Sequence, residues 1–248
     1  MKNNINLFVE LFQRSKNIAV LTGAGISTES GIPDFRSPKK GLWSQYSEKI
    51  VEIGNFKKHP EMFYEFLKTN LKNTFDAKPN FSHYFLSKYE SEGCIKAIIT
   101  QNIDNLHQKA GSKNVLELHG NLINAICLDC KEKYKTNSLI KLFEESNKIP
   151  RCHCGGLIKP NVIFFGEMLP HNTLTQSYFY ADQSDLFIIL GSSLLVTPAA
   201  LLPYKAKEGG AKIVIINFQA TPFDIYADIV INDKISKILE EAGGKLQK

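Results

Sequence analysis

Asn17-Ile-Ala-Val-Leu-Thr22-Gly23-Ala-Gly-Ile-Ser27-Thr28 is the stretch from which the fold can be read. A short β-rich run ends in two closely spaced glycines. The run lacks apolar/polar alternation, as expected of a strand covered on both faces. Glycine after such a strand lets backbone N–H groups approach a phosphate at the start of a helix; a plain strand-ending turn is the other reading. Working outward, buried-strand candidates of the same kind lie at 95–100, 115–118, 162–165, 186–190 and 212–217. Helical patterns fall between them at 79–91, 103–109, 172–183 and 198–208. Ile5, Phe8, Val9, Leu11 and Phe12 mark an opening helix, and a last one is expected at 233–242. Strand–helix alternation implies an α/β fold: a parallel sheet with helices on both faces.

Two regions break the rhythm. Residues 33–79 are loop-rich, then helical around 60–71, and residues 122–159 hold paired cysteines and one short helix near 138–146. They are expected to fold together as a smaller module. The expected main domain is then 1–35, 80–121 and 160–248, and the small helical and zinc-binding domain is 36–79 and 122–159.

The composition, 43% hydrophobic and 22% charged over 248 residues, excludes a disordered chain, a collagen and a disulfide miniprotein. No stretch approaches the roughly 20 apolar residues needed to span a bilayer. Glu10 interrupts the N-terminal segment where a signal peptide would be apolar, so a cytoplasmic protein without a membrane partner is expected. The net charge is +5, and its lysines are scattered. That pattern fits a solvated surface rather than a nucleic-acid groove, and no sequence-specific nucleic-acid binding is expected.

The chemistry concentrates at strand ends. Gly23-Ala24-Gly25 departs from the ordinary dinucleotide fingerprint: a third glycine would fall at Thr28, and no acidic strand end follows about 20 residues on. The chain continues instead into a polar loop ending Pro33-Asp34-Phe35-Arg36-Ser37. An ordinary dehydrogenase is therefore disfavoured. Gln101, Asn102 and Asp104 cluster after the 95–100 strand, where ligands of open parallel sheets bind; a capped helix start accounts for any one of them. His119 follows another strand and precedes a glycine, a position suited to a general base, since imidazole titrates near neutrality. A structural histidine is the alternative. Gly191-Ser192-Ser193 and Asn217 end two further strands. Five cysteines include two tight pairs, Cys127/Cys130 and Cys152/Cys154. Four thiolates suit one structural Zn²⁺ with no open position. The single residue between the second pair leaves His153 open as a substitute ligand.

In their order, these motifs resemble the sirtuins, NAD-dependent protein deacylases. The matching segments are Gly-Ala-Gly-Ile-Ser with Gly-Ile-Pro-Asp-Phe-Arg, Gln-Asn-Ile-Asp, Leu-His-Gly, the paired cysteines, Phe-Phe-Gly-Glu and Gly-Ser-Ser. The resemblance runs from about residue 17 to 217 and beyond. It implies a Rossmann-like domain beside a zinc-and-helix domain, with NAD and acyl-peptide between them. By resemblance, Ala24, Ser27, Thr28, Phe35 and Arg36 border the NAD phosphates and nicotinamide ribose. Gln101, Asn102, Ile103 and Asp104 form the nicotinamide pocket, and Gly191, Ser192, Ser193, Asn217, Asp233 and Lys234 serve the adenosine end. His119 and Asn102 are the catalytic pair. The resemblance also implies the chemistry: nicotinamide leaves first, the acyl oxygen attacks the ribose, His119 deprotonates a ribose hydroxyl, and lysine and O-acetyl-ADP-ribose are released. The substrate is an acyl-lysine protein or peptide. It lies as a strand against Ile163, Phe165, Gly166 and Glu167 on one side and Leu194, Leu195 and Val196 on the other.

Two other functions use the same residues: mono-ADP-ribosyl transfer, and a non-catalytic NAD-sensing module. An intact His119 argues against the second, because binding alone requires no base. Acyl preference is read from the helix after His59-Pro60. Family members that prefer succinyl or malonyl groups carry a Tyr-x-x-Arg pair there. The matching positions are Leu67 and Asn70, with Tyr64 and Lys68 as a nearby imitation. An apolar residue suits acetyl and short aliphatic groups, because an unpaired buried carboxylate is costly.

Overall fold

The computed structural model describes residues 2–39 and 41–247, with 71–73 described by backbone alone. Met1, Lys40 and Lys248, which the expected domain ranges include, lie outside the described residues. Among the described residues nine strands are found: β1 Ile18–Thr22, β2 Ile95–Thr100, β3 Val115–Glu117, β4 Gly120–Cys127, β5 Lys133–Lys135, β6 Ile158–Val162, β7 Leu186–Leu190, β8 Lys212–Ile216 and β9 Ile229–Ile231. Six of them form a parallel sheet in the order β3-β2-β1-β7-β8-β9. The other three form a small antiparallel sheet, β5-β4-β6.

The continuous apolar strands are explained by a two-faced sheet. Successive side chains of a strand point to opposite faces. Ile18, Val20, Ile188 and Val214 enter one core with Phe8 and Phe12 of the helix Lys2–Arg14, Phe85 of Phe81–Ser91 and Leu239 of Ile235–Leu246. Ala19, Leu21, Phe187 and Ile213 enter the other with Ala181 of His171–Asp182 and Leu202 and Ala206 of Leu202–Glu208. A third core belongs to the small sheet and the helices Ile53–Lys58, Pro60–Phe66 and Thr136–Ser146.

Several expected boundaries move. Residues 162–165 do not join the parallel sheet. Val162 ends β6 of the small sheet, and Phe165 bridges to Glu52. An apolar run signals burial but does not name its partner strand. The expected 103–109 helix begins only at Leu106, because Asn105 takes a left-handed φ of 63° and Asp104 Oδ1 caps the Leu106 N–H at 2.9 Å. The last helix starts at Ile235, two residues late. None of the helices among the described residues is long and apolar enough to cross a membrane.

The sheet order puts the topological switch point between β1 and β7, where a crevice opens beyond the strand ends. Two loops cross there. Gly23 N donates to Leu190 O at 3.0 Å and Gly25 N to Gly191 O at 2.9 Å. A Cβ on Gly191 would stand 2.5 Å from Ile26 N, and one on Gly25 2.7 Å from Gly191 Cα. The Gly-Ala-Gly spacing is therefore required by the crossing of backbone over backbone. Gly191 also has a φ of +65°, which L-residues rarely adopt.

Gly191→Ala is expected to lower the unfolding free energy by about 1–3 kcal/mol, the usual cost of a strained left-handed residue. Urea titration measures it, and a change within about 0.5 kcal/mol, typical of a featureless surface site, would contradict the crossing argument.

Candidate active site

A cleft of about 1040 Å³ opens at the switch point. One wall is made by the carboxyl ends of β1, β2, β7 and β8, through Ala24 and Thr28, Gln101 to Ile103, Gly191 to Ser193, and Asn217. Asp233 and Lys234, just before the last helix, extend it. The facing wall holds Phe35, Arg36, Trp43, Val51, Phe63 and Phe66, with Ile163, Phe165, Gly166 and Glu167 beside them.

Beneath the first wall lies a small recess lined by Ala24, Ser27, Phe35, Asn102, Ile103 and Asp104. Ser27 and Asp104 reach only this recess. Ser27 Oγ donates to Asp104 Oδ2 at 2.7 Å, and Asn102 Nδ2 donates to Gly23 O and Ser27 Oγ, both at 3.2 Å. Burial pushes the Asp104 carboxyl above its ordinary range, opposed by the bonds from Ser27 and Leu106. The recess thus pairs a buried carboxyl group with a fixed amide, the donor and acceptor types that recognise a carboxamide.

His119 sits between the two walls. Its Nδ1 lies 3.0 Å from Gln101 O. A carbonyl only accepts, so Nδ1 carries the proton and the Nε2 lone pair is free. Burial holds the imidazole pKa below its usual value, the Gln101 bond opposes this, and the nearby Arg36 charge adds to the lowering. The ring is neutral at pH 7 and competent as a base. The next residue, Gly120, has a φ of +71°, and a Cβ there would collide with Asn161 O. The histidine's own carbonyl accepts from Ile163 N at 2.9 Å, joining His119 to the facing segment.

Polar side chains elsewhere in the cleft are fixed by neighbours. Gln101 Nε2 donates to Ser192 Oγ at 2.7 Å, and Asn217 Nδ2 to Gln219 O at 2.7 Å. Thr28 Oγ1 donates to Gly25 O at 2.9 Å. Arg36 Nη2 lies 4.0 Å from Glu48 Oε1, a partly exposed pair. Lys237 bonds Asp233 and holds its carboxyl below the usual range.

The expected peptide residues divide. Ile163, Phe165, Gly166, Glu167 and Val196 line the cleft. Leu194, at a φ of 53°, turns its side chain into the core beneath the sheet, and Leu195 is 61% exposed outside the cleft. The acyl-preference positions also move. Leu67 is buried in the small module's core, and Asn70 Nδ2 donates to Phe66 O at 3.3 Å. Tyr64 is buried with its hydroxyl on Ile158 O at 2.9 Å, and Lys68 pairs with Glu65. Phe63 and Phe66 face the cleft instead. The sequence reading missed these two, and it missed Trp43, which packs between Phe35 and Phe66 with ring centroids 5.1 and 6.2 Å away. Their aromatic character reads as core in a helix. The lone tryptophan of the chain, seven residues after Arg36, was the available signal.

Away from the cleft, the sulfurs of Cys127, Cys130, Cys152 and Cys154 lie within 4.8 Å of one another. Cys127–Cys154 is 3.6 Å and Cys130–Cys152 is 3.4 Å. Zn–S bonds of about 2.3 Å in a tetrahedron place thiolates about 3.8 Å apart, so the donor set fits zinc. His153 is not part of the cluster, and Tyr134 Oη donates to Cys152 Sγ at 3.0 Å.

A family model described as the Sir2 family matches residues 23–198. The chain is 45% identical over 238 residues to an NAD-dependent protein deacetylase of Sulfolobus acidocaldarius, covering 96% of this chain and 93% of that protein. Its structure is similar to that of a Sir2 with a deacetylated p53 peptide and 3'-O-acetyl ADP-ribose: the TM-score is 0.92 and the identity 44%, over 98% of this chain and 97% of that one. It is also similar to Sir2Tm bound to a propionylated peptide, with a TM-score of 0.90 and 43% identity over 98% and 99% of the two chains.

The sulfur cluster is expected to hold one zinc per chain. Elemental analysis measures the metal, and Cys152→Ser should lower zinc content and melting temperature together, because metal binding and folding are coupled. Folded, stable protein purified with no zinc would contradict the assignment.

Proposed function

The chain belongs to the Sir2 family, and from that membership and the cleft we propose how its residues carry out their reaction. The enzyme is an NAD-dependent protein deacetylase that takes NAD as co-substrate. NAD supplies an electrophilic ribose carbon once its nicotinamide bond breaks. His119 Nε2 takes the proton from a ribose hydroxyl, the step for which its neutral, oriented ring is suited. This imidazole, tautomer-fixed by Gln101 and facing the substrate segment, is the observation that carries the proposal.

Asn102, Ile103 and Asp104 hold the carboxamide in the recess with Ser27. Phe35 lines both recess and cleft and excludes water from the reacting carbon. Ala24, Thr28, Arg36 and Gln101 border the phosphates and first ribose; Gly191, Ser192, Ser193, Asn217, Asp233 and Lys234 hold the adenosine end. Acyl-lysine enters between the 163–167 segment and Val196. Among the described residues, Ile163 O and the Gly166 N–H and C=O make no backbone hydrogen bond, which leaves them for a peptide strand. We assign residues 1–35, 80–121 and 160–248 to the NAD-binding domain and 36–79 with 122–159 to the zinc domain, the two meeting where β4 and β6 carry 120–121 and 160–162 into the small sheet. Free cysteines support work in a reducing compartment, the cytoplasm.

The acyl group is placed against Phe63, Phe66 and Trp43 of the facing wall, rings that offer no cation to a carboxylate. Acetyl is therefore the preferred group, with propionyl and butyryl tolerated. Side-by-side kcat/KM values on one peptide scaffold test this, and a succinyl value equal to or above the acetyl value would refute it.

His119→Ala should retain NAD binding and lose about 10²–10⁴-fold in turnover, the usual loss of a general base. The parent's pH profile follows from the lowered imidazole pKa. The base form persists through neutrality, and kcat/KM falls as acid protonates it at a pH below 6.5. Turnover of the variant within a few-fold of the parent, or an acid limb centred above 6.5, would remove His119 from the role.

A further inference from the structure

Lys159 lies in β6 and is only 3% exposed, a rare position for an ammonium group. Burial lowers its pKa, and Glu167 opposes the shift. Its Nζ donates to Val162 O at 2.5 Å and to Glu167 Oε2 at 2.8 Å, and it stands 4.3 Å above the centre of the Phe164 ring. The same Oε2 accepts from Phe164 N at 2.8 Å. Glu167 N in turn donates to Phe164 O at 3.0 Å, closing a tight turn in which Gly166 has a φ of +87°. One carboxylate oxygen and one ammonium thus fix both ends of the turn that lines the cleft.

The rest of the segment is fixed from other directions. Phe165 N donates to Val51 O at 2.8 Å and Phe165 O accepts from Ile53 N at 3.0 Å. Ile163 N is held by the His119 carbonyl at 2.9 Å. Among the described residues, Ile163 O, the Gly166 peptide groups and Glu167 O make no backbone hydrogen bond in this segment, which lines the cleft. Their direction is set by the Phe164–Glu167 turn, hence by the ion pair. Lys159 does not line the cleft, and the Oε2 atom of Glu167 is turned inward onto Lys159 and Phe164.

We propose that Lys159 and Glu167 form a positioning pair for the acyl-lysine substrate, shaping the 163–167 segment so that its open peptide groups meet the incoming chain in register with His119. The inference rests on the deacetylase reading of the cleft and gives the Glu167 side chain a part in shaping the segment against which the peptide lies. The pair acts through the backbone of Val162 and Phe164. Breaking it should weaken peptide binding selectively, because Gln101, Asn102, Ser192, Ser193 and Asn217 on the NAD side stand at strand ends of the other sheet. Removing one partner also leaves a buried charge unpaired, so stability must be read separately.

The test compares Glu167→Gln, Lys159→Met and Lys159→Arg with the zinc-loaded parent. Affinity for an acetyl-lysine peptide is measured by fluorescence anisotropy and affinity for NAD by calorimetry, alongside zinc content and melting temperature. Glu167→Gln and Lys159→Met are expected to weaken peptide binding about tenfold or more and raise its KM alike, as small misplacements of substrate-positioning groups do. NAD affinity should stay within about twofold, the signature of a loss confined to one substrate. Lys159→Arg should restore most of the peptide affinity, since its guanidinium can reach both oxygen partners. Unchanged peptide affinity in Glu167→Gln would overturn the proposal. So would equal losses for peptide and NAD, the mark of a merely structural pair. If Lys159→Met does not fold, Glu167→Asp, which keeps the charge and shortens its reach, must show the same selective loss or the proposal fails. A parent that binds both substrates without turnover would refute the functional reading while leaving the pair's binding role intact.

Discussion

The cleft depends on a crossing of two loops that only glycine permits. Where β1 and β7 end, the backbone of Gly23–Ile26 passes against Gly191 so closely that a Cβ on either side would sit inside contact distance. That crossing fixes the floor of the switch-point crevice. It sets where the first turn of residues 24–30 begins, where Ser192 meets Gln101, and where Gly23 O stands to receive Asn102. The polar groups of the site are therefore held by rigid strand ends, which is the placement that preserves geometry to fractions of an ångström.

The second determinant is the low-polarity setting of the ionisable groups. Burial lowers the His119 pKa and raises that of Asp104. Both shifts favour the uncharged form. One low-polarity setting thus biases both His119 and Asp104 toward their neutral forms. The Gln101 carbonyl then selects the tautomer. The small module closes the other side with aromatic rings and, through the 163–167 turn, with backbone. Its cysteine cluster includes the far end of β4 from Gly120, so the strand that starts beside His119 ends at Cys127. The sulfur cluster and the cleft are thus joined through that strand.

Much of this was legible in the sequence. Five-residue apolar runs such as Leu186–Leu190 mark strands buried on both faces, and polar residues immediately after them mark a ligand crevice. The antiparallel strands and the parallel edge strand β9 were not legible. β4 carries Asn121 and Asn124 among its apolar residues, and β5 and β9 are three residues long. Residues 162–165 looked like one more buried strand because burial in the small module gives the same apolar signature. Leu67 is the register position expected at the acyl group, yet it is buried away from the cleft, and Phe63 and Phe66 line the cleft in its place; a one-dimensional register does not determine which side of a helix meets a cleft made by another element. Leu194 is expected in the segment that meets the peptide strand, and its left-handed backbone sends the side chain into the core.

The central claim is that this cleft breaks the nicotinamide bond of NAD only when an acyl-lysine is present to receive the ribose. Quantifying nicotinamide from purified zinc-loaded enzyme and NAD, with and without an acetyl-lysine peptide, tests it directly. The account predicts release that requires the peptide and matches, mole for mole, the deacetylated peptide and O-acetyl-ADP-ribose formed. Equal release without peptide, or release unaccompanied by deacetylation, would contradict it.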